Sequence, residues 1–272
     1  MGGTIIVSGF NAEPAAHFLF EEHRARARYR KIPPKIAPTG VDEAYAVQDI
    51  YNGLLVPSQG PIAGRKIATT TKVMQELLGI DRPCSGVIFE SRVFTSPKQL
   101  DLKNYVNIGI ECELAVRLTE DLPGADDPYT KETIADAVGE IMPAIELIED
   151  RFADYGECDA PSLIAENGWN AGVVLGAPVP FTPGLDLERL SATLEVDGAV
   201  AHQGRTESPL DALAWIANQA VERGQSLRRG MVVITGSNIA TLVSVKAGDR
   251  FAFILEGLGK VELFATNSAL AA

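Results

Sequence analysis

Apolar residues follow two different rhythms along the chain. Over the first sixty residues they recur at three- and four-residue intervals. "AAHFLFEEHRARARYRK" carries Phe18, Leu19 and Phe20 ahead of a basic tail, and "VDEAYAVQDIYNGLLV" sets Ala44, Val47, Ile50, Tyr51, Leu54 and Leu55 near helical spacing. Between them "IPPKIAPTG" holds three prolines, which break any continuous helix. A short helix is predicted at "TKVMQELLG", closed by Gly79.

From residue 105 the rhythm shortens to two. In "YVNIGIECELAVRL", Ile108, Ile110, Cys112, Leu114 and Val116 face one way, and Gly109, Glu111, Glu113, Ala115 and Arg117 the other. "ATLEVDGAVAHQG" predicts a hairpin turning at Asp197-Gly198. "TLVSVKAGDRFAFILEGLGKVELFAT" predicts successive strands joined at Gly248-Asp249 and at "EGLG". One helix interrupts them, "SPLDALAWIANQAVERG", with Ser208 as N-cap, Pro209 as first helical residue and Gly224 just past the end. Strand follows strand through tight turns, so the expected class is α+β with a largely antiparallel sheet. Residues 1–60 are expected to form a helical segment packed on a β-rich domain spanning 61–272, which would carry the chemistry.

Composition narrows the function classes. The 272 residues are 46% hydrophobic, enough for a sizeable core without disulfides. A net charge of −12, with no lysine-rich stripe, argues against a nucleic-acid partner and against an anionic membrane surface. No stretch approaches the ~20 apolar residues of a membrane span, and no signal-peptide pattern opens the chain. Cys84, Cys112 and Cys158 are odd in number and far apart, which fits free thiols in a reducing cytoplasm. No P-loop is present, nor a G-x-G-x-x-G between strand and helix, so nucleotide binding is not expected.

The chemistry lies in three glutamates. Glu111 and Glu113 share one face of a strand, roughly 7 Å apart at ~3.4 Å per residue, inside an otherwise apolar run. Glu146, in "MPAIELIEDR", sits among Ile145, Leu147 and Ile148. Buried and unpaired, such carboxylates repel; a divalent cation supplies the missing charge. An all-oxygen donor set favours Mg²⁺ or Mn²⁺ over zinc, and His17, His23 and His202 lack metal-ligand spacing. The strand pattern alone equally describes a half-exposed strand with a wet acidic face.

With these residues in view, the chain resembles the fumarylacetoacetate hydrolase superfamily, and more narrowly its 2-keto-4-pentenoate hydratase and 2-oxo-3-hexenedioate (4-oxalocrotonate) decarboxylase branch. "DEAYAVQDIY", "GRKIATTTKVMQELLGIDRP", "IGIECELAVRL", "MPAIELIEDR", "LGAPV", "PLDALAWIAN", "ITG" and "VKAGDRFAFILEGLGKVEL" carry the likeness by their order and spacing. The resemblance implies a mixed-β roll like the C-terminal domain of that family, a site in its mouth, a Mg²⁺ or Mn²⁺ ion and a homo-oligomer. It assigns Glu111, Glu113 and Glu146 to the metal and Lys66 to the active-site lysine. Thr235 and Ser237 offer hydroxyls to a substrate carboxylate.

The implied substrate is a small 2-keto or 2-hydroxy-dienoic acid from aromatic catabolism. The implied reaction is hydration to a 4-hydroxy-2-keto acid, with decarboxylation on the same chelate or a catalytically silent ligand-binding subunit as alternatives. Two departures bear on the pocket. Cys84 stands in a segment where many hydratases carry an acidic residue, and Trp169, in "AENGWNAG", replaces a small residue.

Overall fold

The computed structural model describes residues 6–7, 9–124, 127–239 and 243–267. Two short strands, β1 (Ile6–Val7) and β2 (Phe10–Asn11), precede helices α1 (Glu13–Arg24) and α2 (Val41–Gln59). Then come β3 (Ile62–Ala68), α3 (Lys72–Leu78), β4 (Cys84–Phe89), β5 (Val93–Thr95) and β6 (Lys98–Asp101). The long strands β7 (Gly109–Leu118) and β8 (Val138–Ile148) flank α4 (Lys131–Ile134). After α5 (Ala160–Ala165) follow β9 (Asn170–Leu175), β10 (Val179–Pro180), β11 (Ser191–Val196), β12 (Ala199–Arg205) and α6 (Pro209–Glu222). The last strands are β13 (Val232–Ser237), β14 (Val243–Ser244), β15 (Arg250–Leu255) and β16 (Gly259–Thr266).

A nine-stranded sheet runs β4-β3-β13-β7-β8-β9-β5, with β10 added to β8 and β14 to β7. A five-stranded sheet runs β12-β11-β15-β16-β6. Most pairings are antiparallel, as the tight turns predict; β3–β13, β5–β9 and β6–β16 are parallel. The alternation in β7 explains how the sheets stack. Ile110, Cys112, Leu114 and Val116 enter the main core beside Phe251, Phe253 and Leu255 of β15 and Val261 and Leu263 of β16.

The opposite face of β7 is not wet. The larger sheet curls until β4 packs against β9. Its inner wall carries Ile88, Ala115, Met142, Ala144, Val173, Val232 and Ile234, all buried together as a dry plug. Glu113 and Glu146, on this inner face, are fully buried and Glu111 is half-buried. Alternation therefore separates two buried environments, and the half-exposed strand does not describe β7.

Helices α1 and α2 build a separate cluster, Ala15, Leu19, Val47 and Tyr51, closed by Val87 and Phe89 of β4. Among the described residues no helix is long and apolar enough to cross a membrane. Asp197 and Gly198 form the expected turn between β11 and β12, with φ of 52° and 81° as a two-residue hairpin requires. Ser208 departs from expectation. Its φ of 44° is left-handed and its hydroxyl makes no cap bond, because an N-cap side chain reaches the helix only from extended backbone. Its amide donates instead to Glu188 Oε2 (2.9 Å). The start of the predicted strand at Thr241 and Leu242 lies outside the described residues.

Candidate active site

Two and four residues beyond Ala115 of the plug, β7 turns Glu113 and Glu111 into the mouth of the roll. Register places Glu146 of β8 directly opposite Glu111. Oxygens from all three carboxylates lie within 4.8 Å of one another. Like charges directly opposite destabilise a sheet, so the fold must supply a cation. Lys66, projected from β3, provides one: its Nζ lies 3.1 Å from Glu146 Oε1, and both side chains are buried. If all three were ionised, one ammonium would leave an excess of two negative charges.

The hydrogen bonds show where a further cation fits. Glu146 Oε1 also accepts from Asn170 Nδ2 at 2.7 Å, and Glu113 Oε2 accepts from the Gly236 amide at 2.7 Å. Each carboxylate thus has one oxygen held. The other, Glu113 Oε1 and Glu146 Oε2, is buried without a partner. A buried oxygen left bare carries its full desolvation cost. Two such oxygens beside Glu111 form an all-oxygen donor set of the kind Mg²⁺ and Mn²⁺ take.

Electrostatics agree. Burial and then Glu146 push the Glu111 carboxyl up to about 7, with Lys66 opposing. Burial, Glu146 and Glu111 together hold Glu113 well above the usual carboxylate range. Burial alone would discharge Lys66, but Glu146 and Glu111 outweigh it and raise its pKa. An acid whose pKa is raised by folding destabilises the metal-free fold as pH climbs, here from 4.5 toward about 7 for Glu111. A cation bound by these carboxylates would have to displace those protons. Mn²⁺ binding at pH 6 is expected to release about one proton or more, read by titration calorimetry in buffers of different ionisation enthalpy. Binding without proton release would show that the carboxylates are already ionised.

The remaining candidates divide. Cys84, two residues from the register partner of Lys66, shares its face of the sheet; burial raises the thiol's pKa, and Thr69 Oγ1 donates to it at 3.6 Å. It is a neutral wall residue. Trp169 is buried edge-on to Tyr29 and Tyr155, with ring centroids 5.8 and 5.4 Å away, and donates from Nε1 to Glu166 Oε2. It also borders a cavity of about 370 Å³ shared with His23, Arg92, Glu149 and Asn170. Thr235 and Ser237 have other duties: their hydroxyls donate to the carbonyls of Leu114 (2.9 Å) and Ile239 (2.7 Å). Those protons are committed to the irregular β13–β7 junction rather than offered to a ligand. Sequence reasoning missed Asn170 and the Gly236 amide. A backbone N–H has no sequence signature, and nothing in "GWNAG" marks its asparagine as a partner of a glutamate 24 residues earlier.

Comparison with known proteins places the chain in a family. The model of the fumarylacetoacetate (FAA) hydrolase C-terminal family matches residues 75–263, and the chain belongs to that family. Among its relatives, a 2-keto-4-pentenoate hydratase of Burkholderia vietnamiensis is 32% identical over 222 residues, 80% of this chain and 83% of that one. A second protein of that name, from Paraburkholderia xenovorans, is 29% identical over 254 residues, covering 92% and 93%. The solved 4-oxalocrotonate decarboxylase of Pseudomonas putida G7, complexed with magnesium and adipate, shares the fold: TM-score 0.84, 22% identity, 93% of this chain and 97% of that one.

Proposed function

We propose that this chain is a divalent-cation-dependent lyase that hydrates a 2-hydroxy-2,4-dienoate to a 4-hydroxy-2-oxo acid. The reading rests on one observation, the pair of bare buried oxygens on Glu113 and Glu146 facing Glu111 beside a charged lysine. Its relatives of similar length, named for that hydration, support the substrate class. Glu111, Glu113 and Glu146 would hold Mg²⁺ or Mn²⁺, which when bound supplies Lewis-acid polarisation of a 2-oxo group and its neighbouring carboxylate.

The chain's own residues do the rest. Asn170 and the Gly236 amide fix the carboxylates, so the donor oxygens need not reorganise. Lys66 stays an ammonium, placed to stabilise negative charge at the oxo end or to return a proton to it. The plug of Met142, Val232 and Ile234 excludes water from behind.

Decarboxylation of a 2-oxo-hexenedioate is the second reading, and one feature favours it: Cys84 offers no carboxylate to activate water. Turnover of a 2-hydroxy-dienoate is expected to vanish after chelation with EDTA and to return with Mg²⁺ or Mn²⁺. Product analysis separates the readings: a 4-hydroxy-2-oxo acid means hydration, and CO₂ release from the dicarboxylate means the alternative. Turnover indifferent to EDTA would end both, and no turnover of either substrate would leave a ligand-binding subunit.

A further inference from the structure

Between Glu166 and Asn170 the backbone does something rare. Asn167, Gly168 and Trp169 have φ of 57°, 56° and 56°, three consecutive residues in the left-handed region. Only glycine adopts this without cost, and a bulky tryptophan least readily. The strain is held by specific bonds. Asn167 Oδ1 accepts from the Val87 amide at 2.7 Å and its Nδ2 donates to the Val87 carbonyl at 2.9 Å, fastening the turn to β4. The Trp169 amide donates to the Glu166 carbonyl and its indole to the Glu166 carboxylate, both at 3.1 Å. Strain so firmly held points to use rather than accident.

Lys66 lies beneath this turn. A Cβ added at Gly168 would sit 3.0 Å from Lys66 Cε and 3.1 Å from Nζ. A Cβ at Gly86 would sit 3.3 Å from Lys66 Cγ and 2.8 Å from the Asn167 carbonyl oxygen. The lysine stem therefore runs between two glycines, one from β4 and one from the turn, and its ammonium emerges at Glu146 Oε1. A flexible four-carbon side chain is confined to one path, and among the described residues its ammonium has one ion-pair partner within 4 Å, that carboxylate.

We infer that the left-handed turn is a positioning element, and that Gly168 and Asn167 act on the reaction through Lys66 by fixing where its ammonium ends. This rests on the role proposed for Lys66, but the geometry can be tested without turnover. Gly168→Ala intrudes directly on Nζ. Asn167→Gly keeps the left-handed backbone accessible and removes only the two bonds to Val87.

The test measures Mn²⁺ affinity by calorimetry, and the Lys66 ¹⁵Nζ resonance in metal-free lysine-labelled protein, for each variant alone and in a Lys66→Met background. Each is expected to change the Mn²⁺ dissociation constant by about threefold or more in the parent protein and by less than about twofold beside Lys66→Met, the non-additivity of residues in contact. Each should also move the Lys66 resonance. Equal effects on affinity in both backgrounds, with an unmoved resonance, would make the turn merely structural and overturn the inference. Retained turnover in Lys66→Met would sink the proposed role of the lysine instead, while the resonance and affinity data still decide whether the turn positions it.

Discussion

Glu113→Gln is expected to weaken Mn²⁺ binding by about 100-fold or more and to lower turnover at least in proportion, because residues that only orient ligands are already worth about 10–100-fold. The substitution preserves shape and reverses chemistry. With the Gly236 amide holding the one remaining acceptor, the bare position of Glu113 Oε1 becomes an NH₂ group that repels a cation. Misfolding would not explain the loss. Burial already makes the ionised Glu113 a liability in the metal-free protein, so the variant should melt no lower than the parent without metal above pH 7. Calorimetry with Mn²⁺ and thermal melts in EDTA check both halves. Unchanged affinity would remove Glu113 from the donor set and with it the cation-dependent reading.

Glu166→Gln is expected to destabilise the fold by about 3–5 kcal/mol, the cost of leaving a buried charge without its partner. Glu166 Oε1 accepts from the Arg151 guanidinium and from His23 Nε2 at 2.6 Å, and Oε2 accepts from Trp169. Arg151 is 1% exposed, so the substitution strands its charge where water cannot reach. Burial alone would raise the Glu166 pKa, yet the hydrogen bond from His23 and the charge of Arg151 more than offset it and lower the value. A carboxylate depressed in this way stabilises the protein above its ordinary range, and that contribution is lost as pH falls through its folded value. Urea unfolding at pH 7 measures the loss. A change under about 1 kcal/mol would show that the pair merely breaks even with its desolvation.

How much of this was legible in the chain depends on the link concerned. The alternation in "IGIECELAVRL" sorts Cys112 and Leu114 from Glu111 and Glu113 correctly, because strand geometry alone decides it. What it leaves undecided is the character of the second face. Only the curl that brings β4 to β9 buries that face, and this contact spans some eighty residues of chain. Periodicity found α1, α2 and α6, and Ser208 is the N-cap residue of α6, but its left-handed backbone leaves the hydroxyl without a cap bond. At the site, the three glutamates stand out because charge in an apolar run is conspicuous. Lys66 needed the family resemblance, since a lone lysine is ordinarily a surface group. Thr235 and Ser237 are ambiguous in the sequence because a hydroxyl at a strand end serves the main chain as readily as a ligand, and here both donate to carbonyls. Asn167 and Gly168 carried a faint signal, an Asn-Gly pair, which marks a turn but not a left-handed one pressed on a lysine.

Behind the carboxylates the wall is apolar, with Ile88, Met142, Val232 and Ile234 buried together, and of the three glutamates Glu111 alone is not fully buried. On the proposed reading, substrate and ion would both approach from the Glu111 side. A retained product would then also shield the ion from chelators.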